Sequence, residues 1–335
     1  MNIIVPMAGM GKRMRPHTLT IPKPLIPIAG KPIVERLCED LAEVCDEKID
    51  EIGFVIGRFG KAVEEKLISI AENLGAKGKI YYQDEALGTA HAILCAEATL
   101  TGKTIVAFAD TLFKADFHLD EEKDGILWVQ QIEDPSQFGV VQLNDEGIIV
   151  DYVEKPETFI SDLAMIGIYY FKDGERLKKE LKYLIDNSII KSGEYQLPDA
   201  LRNMTEQGAT FYPGTVKEWL DCGNKNATVN TNQRVLEIKK NKETLVSKNV
   251  KLNNSLIIEP CYVGDGVELT NSVVGPHVSL GKGTKIENSR IENAVIQEGC
   301  IIKNQNLSNT MLGNAVQLHG VANELSLSDF STQGI

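Results

Sequence analysis

What the chain lacks narrows it first. Six cysteines (Cys38, Cys45, Cys95, Cys222, Cys261 and Cys300) include no CxxC pair. This argues against a zinc ribbon and a disulfide scaffold, and suits a reducing, cytoplasmic setting. The five histidines, His17, His91, His118, His277 and His319, form no metal-spaced cluster. No apolar run approaches a membrane span, and the opening Ile3-Ile4-Val5, broken at once by Pro6, is too short for the core of a signal peptide. There is no dense basic block: 35 Lys+Arg against 47 Asp+Glu leave a net charge of −12. A general nucleic-acid or anionic-membrane binder is therefore not expected, and any phosphate must be captured by a local pocket.

What is present is ample core material. At 335 residues and 43% hydrophobic, the chain exceeds the roughly 150-residue prior for one domain, so two domains are expected. The first two-thirds alternates strand and helix patterns. Apolar runs at 3–5, 52–56, 80–82 and 105–109 read as strands, and the periodicities at 33–45, 63–74 and 90–98 read as helices. That rhythm predicts a doubly wound, mostly parallel α/β sheet with ligands bound beyond the carboxyl ends of its strands. The Gly9 loop, Gln83 and Asp110 lie at such ends and are expected to converge. From 125 to 171 shorter runs predict added, partly antiparallel structure forming a second wall. Helices follow at 177–185 and 197–204, then strand-like 210–212 and 219–221.

The last third changes period. Val263 and Leu269 are six residues apart, as are Val274, Leu280 and Ile286, Ile296 and Ile302, and Leu312 and Leu318. This predicts a short left-handed parallel β-helix of about four coils, roughly eighteen residues each. The repeated phase disfavours an ordinary β-rich domain with chance spacing. The expected division is 1–240, 250–320 and a tail at 321–335, with a helix at 227–242 before the solenoid.

The chemistry gathers near the start. Met7-Ala8-Gly9-Met10-Gly11-Lys12-Arg13-Met14 follows the first strand, and Pro22-Lys23-Pro24-Leu25 comes shortly after. Glycines there let backbone N–H groups approach a phosphate. The loop is not a dinucleotide fingerprint, since Met14 takes the third glycine position. Nor is there a P-loop, because Gly102-Lys103-Thr104 precedes a strand and has Glu97 where the leading glycine belongs. Lys23, held between two prolines, is placed rigidly.

Gly-x-Gly-x-Arg followed by Lys-Pro-Leu resembles the signature of the sugar-phosphate nucleotidylyltransferases, and the resemblance covers residues 1 to about 240. Four more motifs agree in order: Gln83 with Leu87-Gly88-Thr89-Ala90, Phe108-Ala109-Asp110, Glu154-Lys155-Pro156, and Trp219-Leu220-Asp221-Cys222-Gly223. Within this family the chain looks most like the long glucose-1-phosphate thymidylyltransferase type, which carries a similar hexapeptide tail. The resemblance implies a Rossmann-like nucleotide-diphospho-sugar transferase fold and a reaction joining a sugar-1-phosphate to a nucleoside triphosphate with loss of pyrophosphate. Arg13 would contact the β- and γ-phosphates, and Lys23 the α-phosphate and incoming sugar phosphate. Asp110 and Asp221 would hold one Mg²⁺. Ala8, Gly9, Gly11, Lys12, Gln83, Gly88 and Thr89 would bind the nucleotide. Gly139, Glu154, Lys155, Gly167 and Glu194 would bind the sugar phosphate.

Three departures or alternatives stay open. Lys12 stands where the family usually has Ser or Thr. Gly88-Thr89 stands where many thymidylyltransferases carry Gly-Leu and uridylyltransferases Gly-Thr, leaving dTTP against UTP open, and Thr89 could equally cap the following helix. Asp110 alone could be a turn residue after a strand. A catalytically silent relative would show erosion at Arg13, Lys23, Asp110 or Asp221, and none is eroded. His277 and His319 raise the question of acyl transfer in the solenoid, but four coils are too few, so an assembly role, as a homo-oligomer, or a regulatory one is expected. Tyr169 and Trp219 read as core or pocket wall.

Overall fold

The computed structural model describes residues 1–115, 119–321 and positions 326, 328 and 331. His118 and most of the expected 321–335 tail lie outside the described residues. Two compact units result, Met1–Thr231 and Asn232–Ile335.

In the first unit, Asn2–Pro6 forms β1, and the short hairpin β2 (Pro27–Ile28) and β3 (Lys31–Pro32) leads into α1 (Ile33–Val44). Then come β4 (Glu51–Ile56), α2 (Lys61–Asn73), β5 (Lys77–Tyr82), α3 (Thr89–Cys95), β6 (Thr104–Ala107) and β7 (Thr111–Lys114). β8 (Gly125–Gln131), β9 (Gly139–Leu143), β10 (Ile149–Glu154) and β11 (Leu163–Phe171) follow. α4 (Gly174–Asp186), α5 (Leu197–Glu206), β12 (Phe211–Thr215) and β13 (Glu218–Asp221) complete the order, and α6 (Lys225–Lys239) carries the chain into the second unit, which begins at Asn232. The main sheet runs β5-β4-β1-β6-β11-β8-β12-β10-β9. Every residue of β1 is buried, as expected of a strand covered on both faces. Ile4, Val55 and Val106 share one core with Ala90 and Ile93 of α3, Leu177 and Leu181 of α4, and Leu197 and Leu201 of α5.

The sheet is mixed, not mostly parallel. β5, β4, β1 and β6 are parallel, and so are β8 and β12. β11 runs antiparallel to β6 and β8, and β10 antiparallel to β9 and β12. The tight connection at 144–148 reverses the chain between β9 and β10, so β8 and β9 run one way and β10 and β11 the other. β7 was not legible in the sequence. It leaves the main sheet and pairs only with β13, antiparallel, with Thr111 opposite Asp221.

In the second unit three parallel ladders step along the chain. One joins 251–253, 268–270, 285–287, 301–303 and 317–319. The others join 256–257, 273–274, 290–291 and 306–307, and 262–263, 279–280, 295–296 and 311–312. Val263, Leu269, Val274, Leu280, Ile286, Ile291, Ile296 and Ile302 form the buried interior. The steps are 17 residues and then 16, not eighteen: Lys251 pairs with Glu268, Glu268 with Lys285, Lys285 with Ile301, and Ile301 with Gln317. One residue is lost at an asparagine corner in every step, and a second in the later steps, where Asn293 and Asn309, at φ +45° and +47°, turn another corner. Asn254, Asn271, Asn288 and Asn304 have φ of +46°, +49°, +48° and +54°, and their amides form a ladder with bonds of 2.9, 3.2 and 3.2 Å. Asparagine tolerates this left-handed conformation better than other side chains with a Cβ.

A second feature of this unit is testable by pH. Glu237 accepts from His277 Nε2 at 2.8 Å and from Lys240 Nζ at 2.8 Å. These bonds, His277 first, pull its carboxyl from 4.5 down to about 2. A carboxylate depressed in the fold stabilises above its unfolded value, and that contribution disappears as pH falls through the folded value. Glu237→Gln is therefore expected to lower the urea midpoint at neutral pH, with the gap to wild type closing between about pH 4.5 and 2. A gap independent of pH would contradict the pairing.

Candidate active site

β1 ends at Pro6, and Met7 N–H still reaches across to Val55 O at 2.8 Å. Beyond it the chain leaves the sheet through Ala8 and Gly9 into Gly11, whose φ is +55°. A Cβ there would lie 3.0 Å from Lys23 Cβ and 3.1 Å from Thr18 Cγ2, so glycine is what lets the two segments pass. Thr18 Oγ1 fastens the crossing by donating to Gly11 O at 2.8 Å. One 3₁₀ turn, Lys12–Met14, then buries Met14 and leaves Lys12 and Arg13 exposed. A second 3₁₀ turn, Lys23–Leu25, buries Lys23 and directs its ammonium to Asp110 Oδ2 at 2.9 Å.

The two aspartates meet because β7 pairs with β13. Cys222 N–H donates to Asp110 O at 3.0 Å, and Gly223 N–H to Asp221 Oδ1 at 2.8 Å. Burial raises the Asp221 carboxyl above its ordinary range, and the charge of Asp110 raises it further, while Lys23, the Gly223 N–H and Arg13 oppose the rise. The two carboxylates and the two cations thus share one electrostatic neighbourhood. A Cβ at residue 223 would stand 2.9 Å from both Asp221 carboxylate oxygens, so glycine there keeps the carboxylate clear. Two mutually repelling hard-oxygen donors fit a divalent cation such as Mg²⁺.

A cavity of about 420 Å³ opens beside Asp110 and Gly223, with Asp221 itself off its lining. Ala8, Gly9, Gly11, Lys12, Arg13, Lys23, Gln83, Gly88, Thr89, Asp110 and Glu194 all line it. So do Pro6, Phe108, Ala86 and Ala92; sequence reading did not assign the last two a role. Gly88, at φ +111°, sits against the 194–195 backbone, where a Cβ would come within 2.4 Å of Tyr195 O. Tyr195 N–H donates to Leu87 O at 2.8 Å and Ala90 N–H to Tyr195 O at 3.0 Å, which brings Glu194 to the cavity. Thr89 does not cap α3: Gly88 holds that position without a side-chain bond. The Thr89 hydroxyl accepts instead from Leu197 N–H at 3.0 Å, tying α3 to α5.

Gly139, Glu154, Lys155 and Gly167 lie off the cavity lining. Gly139 is paired with Glu154 across β9 and β10, and a Cβ on it would be 2.8 Å from Glu154 Oε2. Burial raises the Glu154 carboxyl; Lys155 lowers it, and the charge of Glu194 raises it again, linking this group to the cavity rim. Lys155, at φ +44°, places its ammonium 3.7 Å from Glu154 Oε1. Gly167, at φ +86°, sits where the β8–β11 register shifts, and its carbonyl accepts from Phe108 N–H at 2.9 Å. The buried Tyr169 phenol is pushed up by burial and by the charges of Glu154 and Asp110. Trp219 lies two residues before Asp221 on β13, hence on the same strand face, and packs edge-on against Phe138 at 4.9 Å. Trp219 does not line the cavity, and its Nε1 is buried without a partner among the described residues.

A family model described as nucleotidyl transferase matches residues 2–238. The chain belongs to the nucleotidyl transferase family. Its relatives within the nucleotidyl transferases include the low-salt glycan biosynthesis nucleotidyltransferase Agl11 of Haloferax volcanii, 29% identical over 97% of this chain and 94% of that one. The glucose-1-phosphate thymidylyltransferase of Streptomyces griseus is 27% identical over 99% of this chain and 98% of its own length. A solved structure of UDP-glucose pyrophosphorylase complexed with UDP-glucose is similar at a TM-score of 0.58 and 26% identity, covering 71% of this chain and 98% of that one. Among the described residues of this nucleotidyl transferase, no group of three or more His, Cys, Asp or Glu could hold a metal, and no helix is long and apolar enough to cross a membrane. All six cysteines are free.

Proposed function

We propose that this chain joins a sugar-1-phosphate to dTTP or UTP, giving a nucleotide-sugar and pyrophosphate. The observation that carries the reading is the Lys23–Asp110 ion pair at 2.9 Å on a cavity lined from one side by the Gly9–Arg13 loop and from the other by Gln83, Gly88 and Thr89. A phosphate oxygen of the sugar attacks the α-phosphorus and the bond to pyrophosphate breaks. The attacking phosphate is already ionised at neutral pH, so the residues need to align charges and offset them, not remove a proton. Arg13 presents a guanidinium fork to the departing pyrophosphate. Lys23 bridges α-phosphate and acceptor. Asp110 and Asp221 would hold Mg²⁺, which when bound supplies further neutralisation of phosphate charge. Glu154, Lys155, Glu194, Gly139 and Gly167 form the acceptor end.

Glucose-1-phosphate and dTTP are the favoured pair, because the thymidylyltransferase relatives are matched over nearly the full chain, the three ladders included. We read those ladders as a left-handed β-helix with an assembly role, after a catalytic unit in a reducing cytoplasm. UTP is the second reading, favoured by Thr89 and by the UDP-glucose pyrophosphorylase likeness. Four nucleoside triphosphates assayed against glucose-, galactose- and N-acetylglucosamine-1-phosphate, read by pyrophosphate release with Mg²⁺, separate the two. Release with no pair contradicts the proposal. Lys23→Ala is expected to lower kcat about 10²- to 10³-fold, the cost of removing one preorganised charge at the reacting phosphate. Unchanged kcat would remove Lys23 from the reaction.

A further inference from the structure

A hydrogen-bond pattern beside the cavity joins Gln83 to His91, a residue that belongs to none of the five motifs. The Gln83 amide nitrogen lies 3.2 Å from Gly88 O and 3.2 Å from His91 Nδ1. A carbonyl oxygen can only accept, so the group facing Gly88 is the NH₂ end of the amide. The same NH₂ faces His91 Nδ1, which must therefore be unprotonated, with the ring hydrogen on Nε2. Cys95 Sγ, one helical turn later, lies 4.0 Å from that Nε2 and suits a weak acceptor there. Burial pushes the His91 ring below its ordinary range, with only Glu85 opposing, which keeps the ring neutral. With both amide hydrogens committed, the Gln83 carbonyl is the group left for the cavity that Gln83 lines.

We propose that His91 is a positioning residue that fixes the Gln83 amide with its oxygen toward the ligand, so that the site selects bases carrying a ring imide N–H. Uracil and thymine offer that donor at N3. Cytosine has a bare acceptor at the same place and would meet oxygen with nitrogen lone pair. This rests on the reading of Gln83 as the base contact. Without His91, Gly88 O still binds one amide hydrogen, but nothing holds the second, and the amide can turn to meet cytosine. The selectivity would then come from a side chain that does not itself touch the base.

The test compares kcat/KM for UTP, dTTP and CTP in wild type, His91→Leu, His91→Asn and Gln83→Ala, with folding monitored by circular dichroism and thermal midpoint. The leucine variant is expected to lower the UTP:CTP and dTTP:CTP ratios about tenfold, through KM more than kcat, since a fixed hydrogen bond discriminates by leaving the wrong partner unpaired. The asparagine variant, which retains an acceptor near Nδ1, is expected to restore most of the ratio. A leucine variant that loses only stability or kcat while keeping the ratio overturns the positioning role. If Gln83→Ala also leaves the ratio intact, the assignment of Gln83 as base contact fails first. If Gln83→Ala collapses the ratio and His91→Leu does not, the role of His91 alone fails.

Discussion

Asp110→Asn and Asp221→Asn are each expected to lower turnover by about a thousandfold or more while the protein stays folded, the scale of removing preorganised charge from a phosphoryl-transfer site. The two side chains stand close enough for Asp110 to raise the Asp221 carboxyl, and that repulsion needs a cation to offset it. In the structure the nearby cation is Lys23, bonded to Asp110. Either amide removes one of two negative charges, so divalent-ion affinity falls together with activity. The backbone bonds that hold the ribbon, Cys222 N–H to Asp110 O and the β7–β13 pairing, do not involve the carboxylates. The fold should therefore persist. Titration with Mn²⁺, read by electron paramagnetic resonance, measures the affinity apart from the rate. Full activity in either variant, or unchanged ion affinity, would contradict the assignment.

Gly88→Ala is expected to be strongly damaging, although the residue has no functional side chain. At φ +111° with ψ 178° the backbone is in a region that essentially only glycine occupies, costing other residues about 1–3 kcal/mol. The added Cβ would also lie 2.4 Å from Tyr195 O and 2.8 Å from Tyr195 N, and neither backbone atom has a flexible end to yield. The 194–195 segment would have to retreat, breaking the Ala90–Tyr195 bond and withdrawing Glu194 from the cavity. Both the base end and the acceptor end should suffer. The expected result is a lower thermal midpoint together with raised KM for both substrates. A normal midpoint with normal kinetics would mean that the close approach is not maintained in solution.

Much of this was legible in the sequence wherever the physics is local. Buried parallel strands are continuous apolar runs, so β1, β4 and β6 could be read directly, and the glycine loop after β1 follows from its composition. β7 was not, because Thr111-Leu112-Phe113-Lys114 finds its partner in Glu218–Asp221, over a hundred residues on. For the same reason the nearness of Asp110 to Asp221 came only with the motif resemblance. Gly139 and Gly88 could be marked as special, but the reasons, room for Glu154 and for Tyr195, are tertiary. In the second unit, apolar residues read as six apart, such as Val274, Leu280 and Ile286, fall on the parallel ladders with their side chains buried. The ladder steps are shorter than expected because asparagine corners take one residue fewer, at Asn254, Asn271, Asn288 and Asn304 throughout and at Asn293 and Asn309 in the later steps. His91 carried no local sign at all, since a lone histidine is silent until its partner is seen.

Under the proposed function transfer is direct: the sugar phosphate would attack, and no side chain of the protein would take the nucleotide. Exchange of labelled pyrophosphate into the nucleoside triphosphate measures this most directly. With the nucleotide-sugar present, label is expected to enter the triphosphate at a rate comparable to turnover. With triphosphate, Mg²⁺ and enzyme alone, no exchange is expected. Label entering without any sugar would reveal a nucleotidyl-enzyme intermediate and contradict the account.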